Sequence, residues 1–297
     1  MSLEVTYPPH AGLEFVKTIR HDTYPAIDPA RANLAGKVVL VTGASKGIGK
    51  AIAIAFAQAG VSGLVLLARS DMTATRAACE AVATRPGQSL KVLTIPVDTS
   101  NTAQVDAALN STKETFGRLN ILVNNAGVVE DYAVVGDSDP ASWWYTWEVN
   151  MRGTYEVTRA SLPILMATEG HKTIATVSSI GAHGIVPKFA SAYVMSKLAQ
   201  LRFAELLMNE YGNKGIAAYA INPGAILTNL TSAIPEDLKA HLVDTPEVAA
   251  HTIVWLTREP RDWLSGRYVS CQWDVEELEA KKQEIVDGDK LKMRMAI

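Results

Sequence analysis

Two side chains that can move a proton stand four residues apart in the segment Tyr193-Val194-Met195-Ser196-Lys197. Residues at this spacing lie on one face of a helix, so the phenol and the ammonium can meet there. A phenol exchanges protons readily near neutral pH only if its pKa falls from ~10 by about three pH units, which needs about 4 kcal/mol of preference for the phenolate. A lysine charge about 4 Å away supplies that amount at an effective dielectric constant of ~20. We therefore expect Lys197 to lower the pKa of Tyr193 and to make this tyrosine a proton donor.

A glycine-rich turn in the first part of the chain can bind phosphate. The turn Thr42-Gly43-Ala44-Ser45-Lys46-Gly47-Ile48-Gly49 follows an apolar run from Val38 to Val41 and opens the alanine- and isoleucine-rich stretch from Ile48 to Gln58. Glycines let a pyrophosphate approach the N-terminus of the helix, where unpaired N–H groups and the helix dipole favour negative charge. This context favours a dinucleotide site over a purely structural turn. The candidate contacts are Gly43, Ser45, Lys46, Gly47, Ile48 and Gly49.

The residues that follow the second apolar run indicate which dinucleotide binds. An NAD site usually has an acidic residue there, on the ribose 2′-hydroxyl, whereas this chain has Ala68-Arg69-Ser70. Arg69 and Lys46 bring two cations to the region of a 2′-phosphate, and arginine can bind phosphate through two hydrogen bonds. We therefore predict NADP(H). Two solvated surface charges are the alternative, and Asp71 keeps NAD open.

Apolar, strand-like runs alternate with helical stretches through the central part of the chain. The runs are Val38–Val41, Gly63–Ala68, Leu90–Val97, Asn120–Val123, Thr173–Val177, Ala217–Ile221 and Arg267–Ser270. Strands that are almost entirely apolar must be covered on both faces, which is typical of a parallel sheet built from right-handed βαβ units. We predict an α/β fold with a single doubly wound, mostly parallel sheet of seven strands and helices on both faces.

One domain is expected over residues 34–273, because no repeat or shift in composition divides this part of the chain. Residues 1–33 contain four prolines and little periodicity, which predicts an irregular N-terminal arm. Residues 274–297 are predicted to form a C-terminal helical extension, with an amphipathic helix over Val275–Val286 that covers an edge of the sheet. A substrate lid is the alternative for this helix.

Five further segments, taken in order with the glycine-rich turn, resemble the short-chain dehydrogenase/reductase family from about Leu34 to Ser270. They are Asn124-Asn125-Ala126-Gly127, Asn150-Met151-Arg152-Gly153, Val177-Ser178-Ser179, the segment from Tyr193 to Lys197, and Asn222-Pro223-Gly224-Ala225-Ile226-Leu227-Thr228. Tyr-x-x-x-Lys alone is a common pattern on helix surfaces, but the segments together, in order and at strand ends, favour the resemblance. It implies a Rossmann-type fold and hydride transfer between a nicotinamide cofactor and a carbonyl or alcohol.

The resemblance assigns catalytic roles to Ser179, Tyr193, Lys197 and Asn150. Tyr193 would give its proton to the substrate oxygen, Ser179 would hydrogen-bond that oxygen, and Lys197 would also hold the cofactor ribose. Asn150 would position a water that returns a proton to Tyr193 through Lys197, with helix packing as its alternative. Because Ser179 and Tyr193 are fourteen residues apart, one more than the family spacing, Ser178 stays open as a less favoured serine.

The implied cofactor contacts extend beyond the glycine-rich turn. They are Arg69, Asp98, Asn125, Ala126, Gly127, Tyr193, Lys197, Pro223, Gly224, Ile226 and Thr228. Asp98 would lie near the adenine, and capping of a turn is its alternative.

The substrate is less determined. Ile185, Val186, Phe189 and the segment Leu227–Leu238 are mostly apolar and lie where the family places its substrate, so a hydrophobic or aromatic ketone would fit. The same residues could instead pack the loop itself. His183 is a further candidate for the pocket.

These features predict an NADPH-dependent reductase that converts the carbonyl of a small or medium organic substrate to an alcohol. Two alternatives stay open: an isomerase, cyclase or dehydratase that uses the same pocket without net redox change, and a non-catalytic NADP(H)-binding protein. We expect a homodimer or homotetramer, in which Trp143, Trp144 and Trp147 bury helix faces at a subunit contact; ligand binding is the alternative for these tryptophans.

The composition argues against other classes of protein. With 28 basic and 31 acidic residues the net charge is −3, which offers no attraction for nucleic acid or anionic membranes. Cys79 and Cys271 have no metal-site spacing, so neither a metal nor a disulfide framework is expected. The sequence has neither a secretory leader pattern nor a long apolar stretch, from which we expect a cytoplasmic protein that does not enter membranes.

Overall fold

The computed structural model describes residues 11–184, 190–231 and 239–295 and has one seven-stranded sheet. The strands are β1 Val38–Thr42, β2 Gly63–Ala68, β3 Lys91–Pro96, β4 Ile121–Asn124, β5 Lys172–Val177, β6 Ile216–Asn222 and β7 Arg267–Ser270. Their order across the sheet is β3-β2-β1-β4-β5-β6-β7, and all neighbours are parallel. The prediction of a doubly wound, Rossmann-like α/β fold is confirmed.

Helices follow the strands in the alternation that the sequence indicates. They are α1 Gly47–Gln58, α2 Thr73–Val82, α3 Thr102–Phe116, α4 Pro140–Trp147, α5 Gly153–Ala167, α6 Ser191–Tyr211, α7 Pro246–Thr257, α8 Val275–Ala280 and α9 Lys282–Asp287. A π-helical turn, Glu148–Arg152, joins α4 to α5. Such turns are rare and occur often at functional sites.

Alternate side chains of β1 explain why the sheet is covered on both faces. Val39 and Val41 pack into one apolar cluster with α1 and α7, whereas Val38 and Leu40 pack into another with α3 and α5. Each of the four is at most 3% exposed. The chain returns over both faces by parallel crossovers, so the carboxyl ends of the central strands meet at one edge. The strand order reverses there between β1 and β4, which opens a crevice.

The N-terminal segment over residues 11–33 lies against the C-terminal part of the chain. Ile19 forms an antiparallel bridge with Trp273, and Arg20 pairs with Asp274 at 2.7 Å. The two terminal segments therefore hold each other in place beside the end of β7.

The single helix predicted over Val275–Val286 is wrong in one respect, because the structure has two short helices there. Lys281 separates α8 from α9 with φ −90° and ψ 5°. Its amide donates to the carbonyl of Leu278, three residues back, as in a turn. Leu278 and Ile285 are nonetheless fully buried, so the apolar side chains still face the domain.

Across the described ranges, no helix has both the length and the apolar character needed to cross a membrane. Within the same ranges, His, Cys, Asp and Glu side chains nowhere form a group of three or more placed to hold a metal ion. Cys79 and Cys271 are buried free thiols.

Candidate active site

A cavity of about 380 Å³ lies at the carboxyl ends of the central strands. Its lining includes every predicted cofactor contact together with Ser179, Tyr193 and Lys197, whereas Asn150 is not part of it. Open α/β sheets bind their ligands at this position, outside the carboxyl ends of the strands and at the reversal of strand order. The structure thus brings residues from β1 through β6 and from α6 to one cavity.

The glycine-rich turn between β1 and α1 fits a pyrophosphate. Gly43 has φ +67°, and a Cβ there would lie 2.9 Å from the Cα of Ala126. A Cβ on Gly49 would lie 2.3 Å from the carbonyl oxygen of Gly43, so neither position has room for a side chain. Helix α1 begins at Gly47 without a side-chain cap, so the N–H groups of its first turn can donate to a phosphate.

Charged side chains line the end of the cavity beside β2. Arg69 and Lys46 are both in the lining, and the Arg69 guanidinium donates a hydrogen bond to the phenol oxygen of Tyr145. Asp98 accepts hydrogen bonds from the amide and the hydroxyl of Ser100 at 3.0 and 2.7 Å. Burial acts to raise the pKa of the Asp98 carboxyl, but these bonds and the charge of Arg69 outweigh it and hold the pKa below its usual value. Asp98 therefore caps a turn and lines the cavity at once.

The residues that follow β4 line the cavity and are hydrogen-bonded to the end of β1. The Thr42 hydroxyl accepts hydrogen bonds from the amides of Asn125 and Ala126 at 2.9 and 3.0 Å. The side-chain amide of Asn125 donates to the Thr42 carbonyl at 2.9 Å. A Cβ on Gly127 would lie 3.3 Å from Oδ1 of Asn150, a tight contact that a larger residue would have to relieve by a small shift.

Tyr193, Lys197 and Ser179 form a connected cluster in the cavity lining. Nζ of Lys197 lies 5.5 Å from the centre of the Tyr193 ring and donates to the carbonyl oxygen of Val177 at 2.8 Å. The Ser179 hydroxyl hydrogen-bonds the Tyr193 phenol and accepts from the amide of Gly181 at 3.0 Å. A proton donor, a hydroxyl and a cation thus share one part of the site.

Burial dominates the acidity of this cluster. It raises the pKa of Tyr193, which the hydrogen bond from Ser179 lowers only in part. It also lowers the pKa of the Lys197 ammonium to about 7. The expectation that the pKa of Tyr193 is lowered is therefore wrong, because burial removes water from both groups and so favours the neutral form of each. Tyr193 is accordingly a protonated phenol at neutral pH.

The two neighbouring serines have different partners. Ser178 is 1% exposed, and its hydroxyl donates to the main-chain carbonyl oxygen of Lys197 at 2.8 Å. That bond anchors β5 to α6. Because Ser178 is engaged with the backbone and Ser179 with the Tyr193 phenol, the geometry favours Ser179 as the hydroxyl that meets a substrate.

Asn150 is fully buried in the π-helical turn. Its side chain exchanges hydrogen bonds with the backbone of Val128 at 2.8 and 2.9 Å and donates to the Ser196 hydroxyl at 3.0 Å. The main-chain carbonyl oxygen of Asn150 accepts a hydrogen bond from the side-chain amide of Gln200 at 2.7 Å. These contacts fix the loop after β4 against α6, and they connect Asn150 to Lys197 through Gln200.

Sequence reasoning missed Glu130, which holds the N-terminus of α6. Its carboxylate is buried and accepts hydrogen bonds from the amides of Ala192 and Tyr193 at 2.6 and 3.1 Å. A carboxylate at this position satisfies N–H groups that the helix leaves unpaired and complements the helix dipole. Its partner Ala192 lies 62 residues away, so no local pattern reveals the pairing.

Asp244 is a second residue that the sequence did not reveal. It accepts hydrogen bonds from the amide of Ala225 at 2.5 Å and from the side-chain amide of Gln272 at 2.8 Å, and Nδ1 of His21 lies 2.6 Å away. Gly224 beside it has φ +103°, and a Cβ there would lie 2.6 Å from the Asp244 carboxylate. Asp244 therefore sets the conformation of the Pro223 segment and links it to the N-terminal arm.

Part of the predicted substrate region lies outside the described residues, namely Ile185, Val186, Phe189 and the portion of Leu227–Leu238 from 232 onwards. The described lining also contains apolar residues, among them Val128, Val129, Ile180, Leu230 and Leu242. His183 is not in the lining, and its ring lies edge-on to Tyr268 with 4.7 Å between ring centres.

The doubly wound sheet, the phosphate-binding turn and the Tyr-x-x-x-Lys helix together define a nucleotide-binding oxidoreductase. Residues 37–239 match the family model described as short chain dehydrogenase. The chain is 49% identical over 294 residues to short chain dehydrogenase mpl6 of Monascus purpureus, which covers 99% of this chain and 100% of that protein. The chain belongs to the short-chain dehydrogenase/reductase family.

Solved structures agree with this fold. A carveol dehydrogenase from Mycobacterium avium, crystallised in complex with NAD, superposes with a TM-score of 0.74 at 18% identity over 80% of this chain and 97% of that one. A 3-ketoacyl-ACP reductase from Sinorhizobium meliloti 1021 superposes with a TM-score of 0.67 at 28% identity over 82% of this chain and 99% of that one.

Proposed function

We propose that this oxidoreductase reduces the carbonyl group of a small or medium, hydrophobic organic molecule with NADPH. The observation that carries the proposal is the convergence of Tyr193, Lys197 and Ser179 in the same cavity as the phosphate-binding turn. The similarity of this chain to a solved 3-ketoacyl-ACP reductase supports reduction as the direction of the reaction. The apolar lining beside Tyr193 favours a hydrophobic substrate.

The protein groups divide the work of the reduction. NADPH supplies, when bound, the hydride for the carbonyl carbon. Tyr193, which burial keeps protonated, donates its proton to the carbonyl oxygen. Ser179 donates a hydrogen bond to that oxygen as negative charge develops, a contribution of about 3 kcal/mol in comparable sites. Lys197 binds the ribose hydroxyls and offsets the charge of the phenolate that remains.

Three side chains support NADPH over NADH. Arg69 and Lys46 line the cavity beside β2, where a 2′-phosphate would lie. Asp71, the carboxylate that left NAD open, accepts from the Thr73 hydroxyl at 2.8 Å and is outside the cavity lining. Arg69 keeps further N–H donors for a phosphate beside its bond to Tyr145, while Asp71 is hydrogen-bonded within its own turn.

The experiment is a screen of aromatic, aliphatic and polycyclic ketones and aldehydes with NADPH and with NADH, followed by the absorbance of the reduced nicotinamide and by product mass. We expect faster oxidation of NADPH and a product two hydrogen atoms heavier than the substrate. Conversion to a product of unchanged mass would replace reduction by isomerisation or cyclisation. Binding of NADPH without turnover of any carbonyl would contradict the proposal.

A further inference from the structure

Gln200 occupies an unusual place beside the cluster of Tyr193 and Lys197. It lies seven residues after Tyr193 and three after Lys197 on α6, so the three residues share one face of the helix. Gln200 is 1% exposed, and its side-chain oxygen Oε1 accepts a hydrogen bond from Nζ of Lys197 at 3.3 Å. A buried side-chain amide thus contacts the ammonium directly.

The other end of this amide is fixed by two acceptors. Nε2 of Gln200 donates to the carbonyl oxygen of Asn150 at 2.7 Å and to the hydroxyl of Thr154 at 3.2 Å. The Thr154 hydroxyl gives its own proton to the Asn150 carbonyl at 2.7 Å, so it can only accept from Gln200. The NH2 group must therefore face the π-helical turn, and the amide oxygen must face Lys197.

Among the described residues, Lys197 consequently has two protein acceptors, the carbonyl of Val177 at 2.8 Å and the side-chain amide oxygen of Gln200 at 3.3 Å. An ammonium has three protons, which leaves one for the cavity that Lys197 lines. Two fixed acceptors thus determine where the third proton points.

We propose that Gln200 is a positioning residue, whose amide holds the ammonium of Lys197 towards the cavity and ties it to the main chain of the π-helical turn. This inference rests on the proposed function, because it concerns how Lys197 serves Tyr193 and the cofactor. It also changes the part expected of Asn150, whose carbonyl reaches Lys197 through a fixed amide.

The charge state of Lys197 is sensitive to this contact. The titratable group beside the ammonium is Tyr193 of α6, whose ring centre lies 5.5 Å from Nζ. The Val177 carbonyl of β5 and the loop residue Gly127, where a Cβ would lie 3.6 Å from Nζ, bring no charge. Glu130, in the loop after β4, bonds the first amides of α6. Among the described residues no carboxylate forms an ion pair with Lys197, and burial is what lowers its pKa to about 7. Near this value, loss of one acceptor changes the fraction of charged lysine at neutral pH.

The test uses Gln200→Met, which keeps the shape and removes the amide, and Gln200→Glu, which adds a negative charge. The midpoint of the Lys197 titration is read from the ¹³Cε shift in the labelled apoprotein and is assigned by its loss in Lys197→Met. We expect Gln200→Met to move the midpoint to lower pH by about one pH unit, the size of a hydrogen bond to a charged group. Gln200→Glu moves it to higher pH.

Thr112→Val is the matched control, since it removes another buried helical hydrogen bond, from the Thr112 hydroxyl to Ala108 at 2.8 Å, away from the cavity. It leaves the lysine midpoint unchanged. An unchanged midpoint in both Gln200 variants would overturn the inference, even if both melt at lower temperature. The apoprotein titration needs no substrate, so a wild-type protein that reduces no carbonyl overturns the proposed function and leaves this result standing.

Discussion

Lys197 shows how burial sets the chemistry of a single residue. Lys197 is 4% exposed and the pKa of its ammonium is lowered to about 7, whereas the pKa of the buried Tyr193 phenol is raised. The tyrosine is therefore protonated across the neutral range, and the charge of the lysine is what varies there. The proposed reduction needs both the phenolic proton and the ammonium, so we expect pH to act on it through the lysine.

The first prediction at this scale concerns pH. The lysine loses its charge as pH rises through about 7, because its pKa is lowered and its charged form exists only below that value. We expect kcat/KM for NADPH, which reports groups of the free enzyme, to be highest below this pH and to fall by about tenfold per pH unit above it. A profile that is flat from slightly acid to pH 9 would show that the charge of Lys197 is not required.

The second prediction concerns Arg69. Arg69→Asp removes a candidate phosphate ligand and adds a carboxylate beside the ribose, so NADPH binding weakens by about tenfold to a hundredfold while NADH binding holds or improves. Cofactor fluorescence titrations measure both constants. Arg76→Ala is the control, because it removes a surface arginine that pairs with Glu80 on α2 and does not line the cavity. Equal weakening of both cofactors by Arg69→Asp would remove the phosphate argument.

Helix α6 carries Tyr193, Lys197 and Gln200, and its position depends on hydrogen bonds with two residues outside the helix, Glu130 and Ser178. Glu130 binds the amides at its N-terminus, and Ser178 binds the carbonyl of Lys197. The placement of Tyr193 and Lys197 thus depends on how this helix is anchored to the segments that follow β4 and β5.

The prediction for this element is made on Glu130. Glu130→Ala leaves buried N–H groups unpaired, so we expect a loss of about 1–2 kcal/mol in the free energy of unfolding and about tenfold in kcat, because Tyr193 moves. Asp139→Ala is the matched control, since Asp139 caps α4 through the amide of Ser142 at 2.9 Å and, among the described residues, forms no hydrogen bond with α6. Urea unfolding should give both variants a similar loss of stability. Equal losses of kcat in the two variants would contradict a role of Glu130 in placing Tyr193.

At the scale of the whole molecule, the N-terminal arm is connected to the cavity lining through Asp244, although the arm lies outside the residues that match the family model. The path runs from His21 to Asp244 at 2.6 Å and from Asp244 to the amide of Ala225 at 2.5 Å, within the Pro223 segment that lines the cavity. The arm is therefore connected to the site and not only to the surface.

We predict that His21→Ala raises KM for NADPH by about threefold to tenfold, because one of the partners that orient Asp244 is lost. Steady-state kinetics at saturating carbonyl substrate measure this change. Thr23→Ala is the control from the same arm, since the Thr23 hydroxyl contacts His251 of α7 at 2.6 Å instead. If His21→Ala and Thr23→Ala behave alike, the arm acts on the cavity only through general stability.

Much of this architecture can be predicted from local sequence, and the exceptions have a common cause. The strand, glycine-rich turn and helix from Val38 to Gln58 follow from adjacent residues. By contrast, Glu130 and Asp244 act through partners far along the chain, which no local pattern contains. The raised pKa of Tyr193 depends on burial that only the folded chain creates. The sequence does place Gln200 on the same helix face as Tyr193, but it does not reveal that the Gln200 amide bonds Asn150 in the π-helical turn.

The most direct test of the account is deuteride transfer to a ketone identified in the screen from NADPH that carries deuterium in place of both hydrogens on the reactive carbon of the nicotinamide. We predict that the wild-type protein gives an alcohol with one deuterium on the former carbonyl carbon and that Tyr193→Phe, which still binds NADPH, forms it at least about a hundredfold more slowly. An alcohol without deuterium at that carbon, or Tyr193→Phe with undiminished turnover, would contradict proton and hydride delivery at this site.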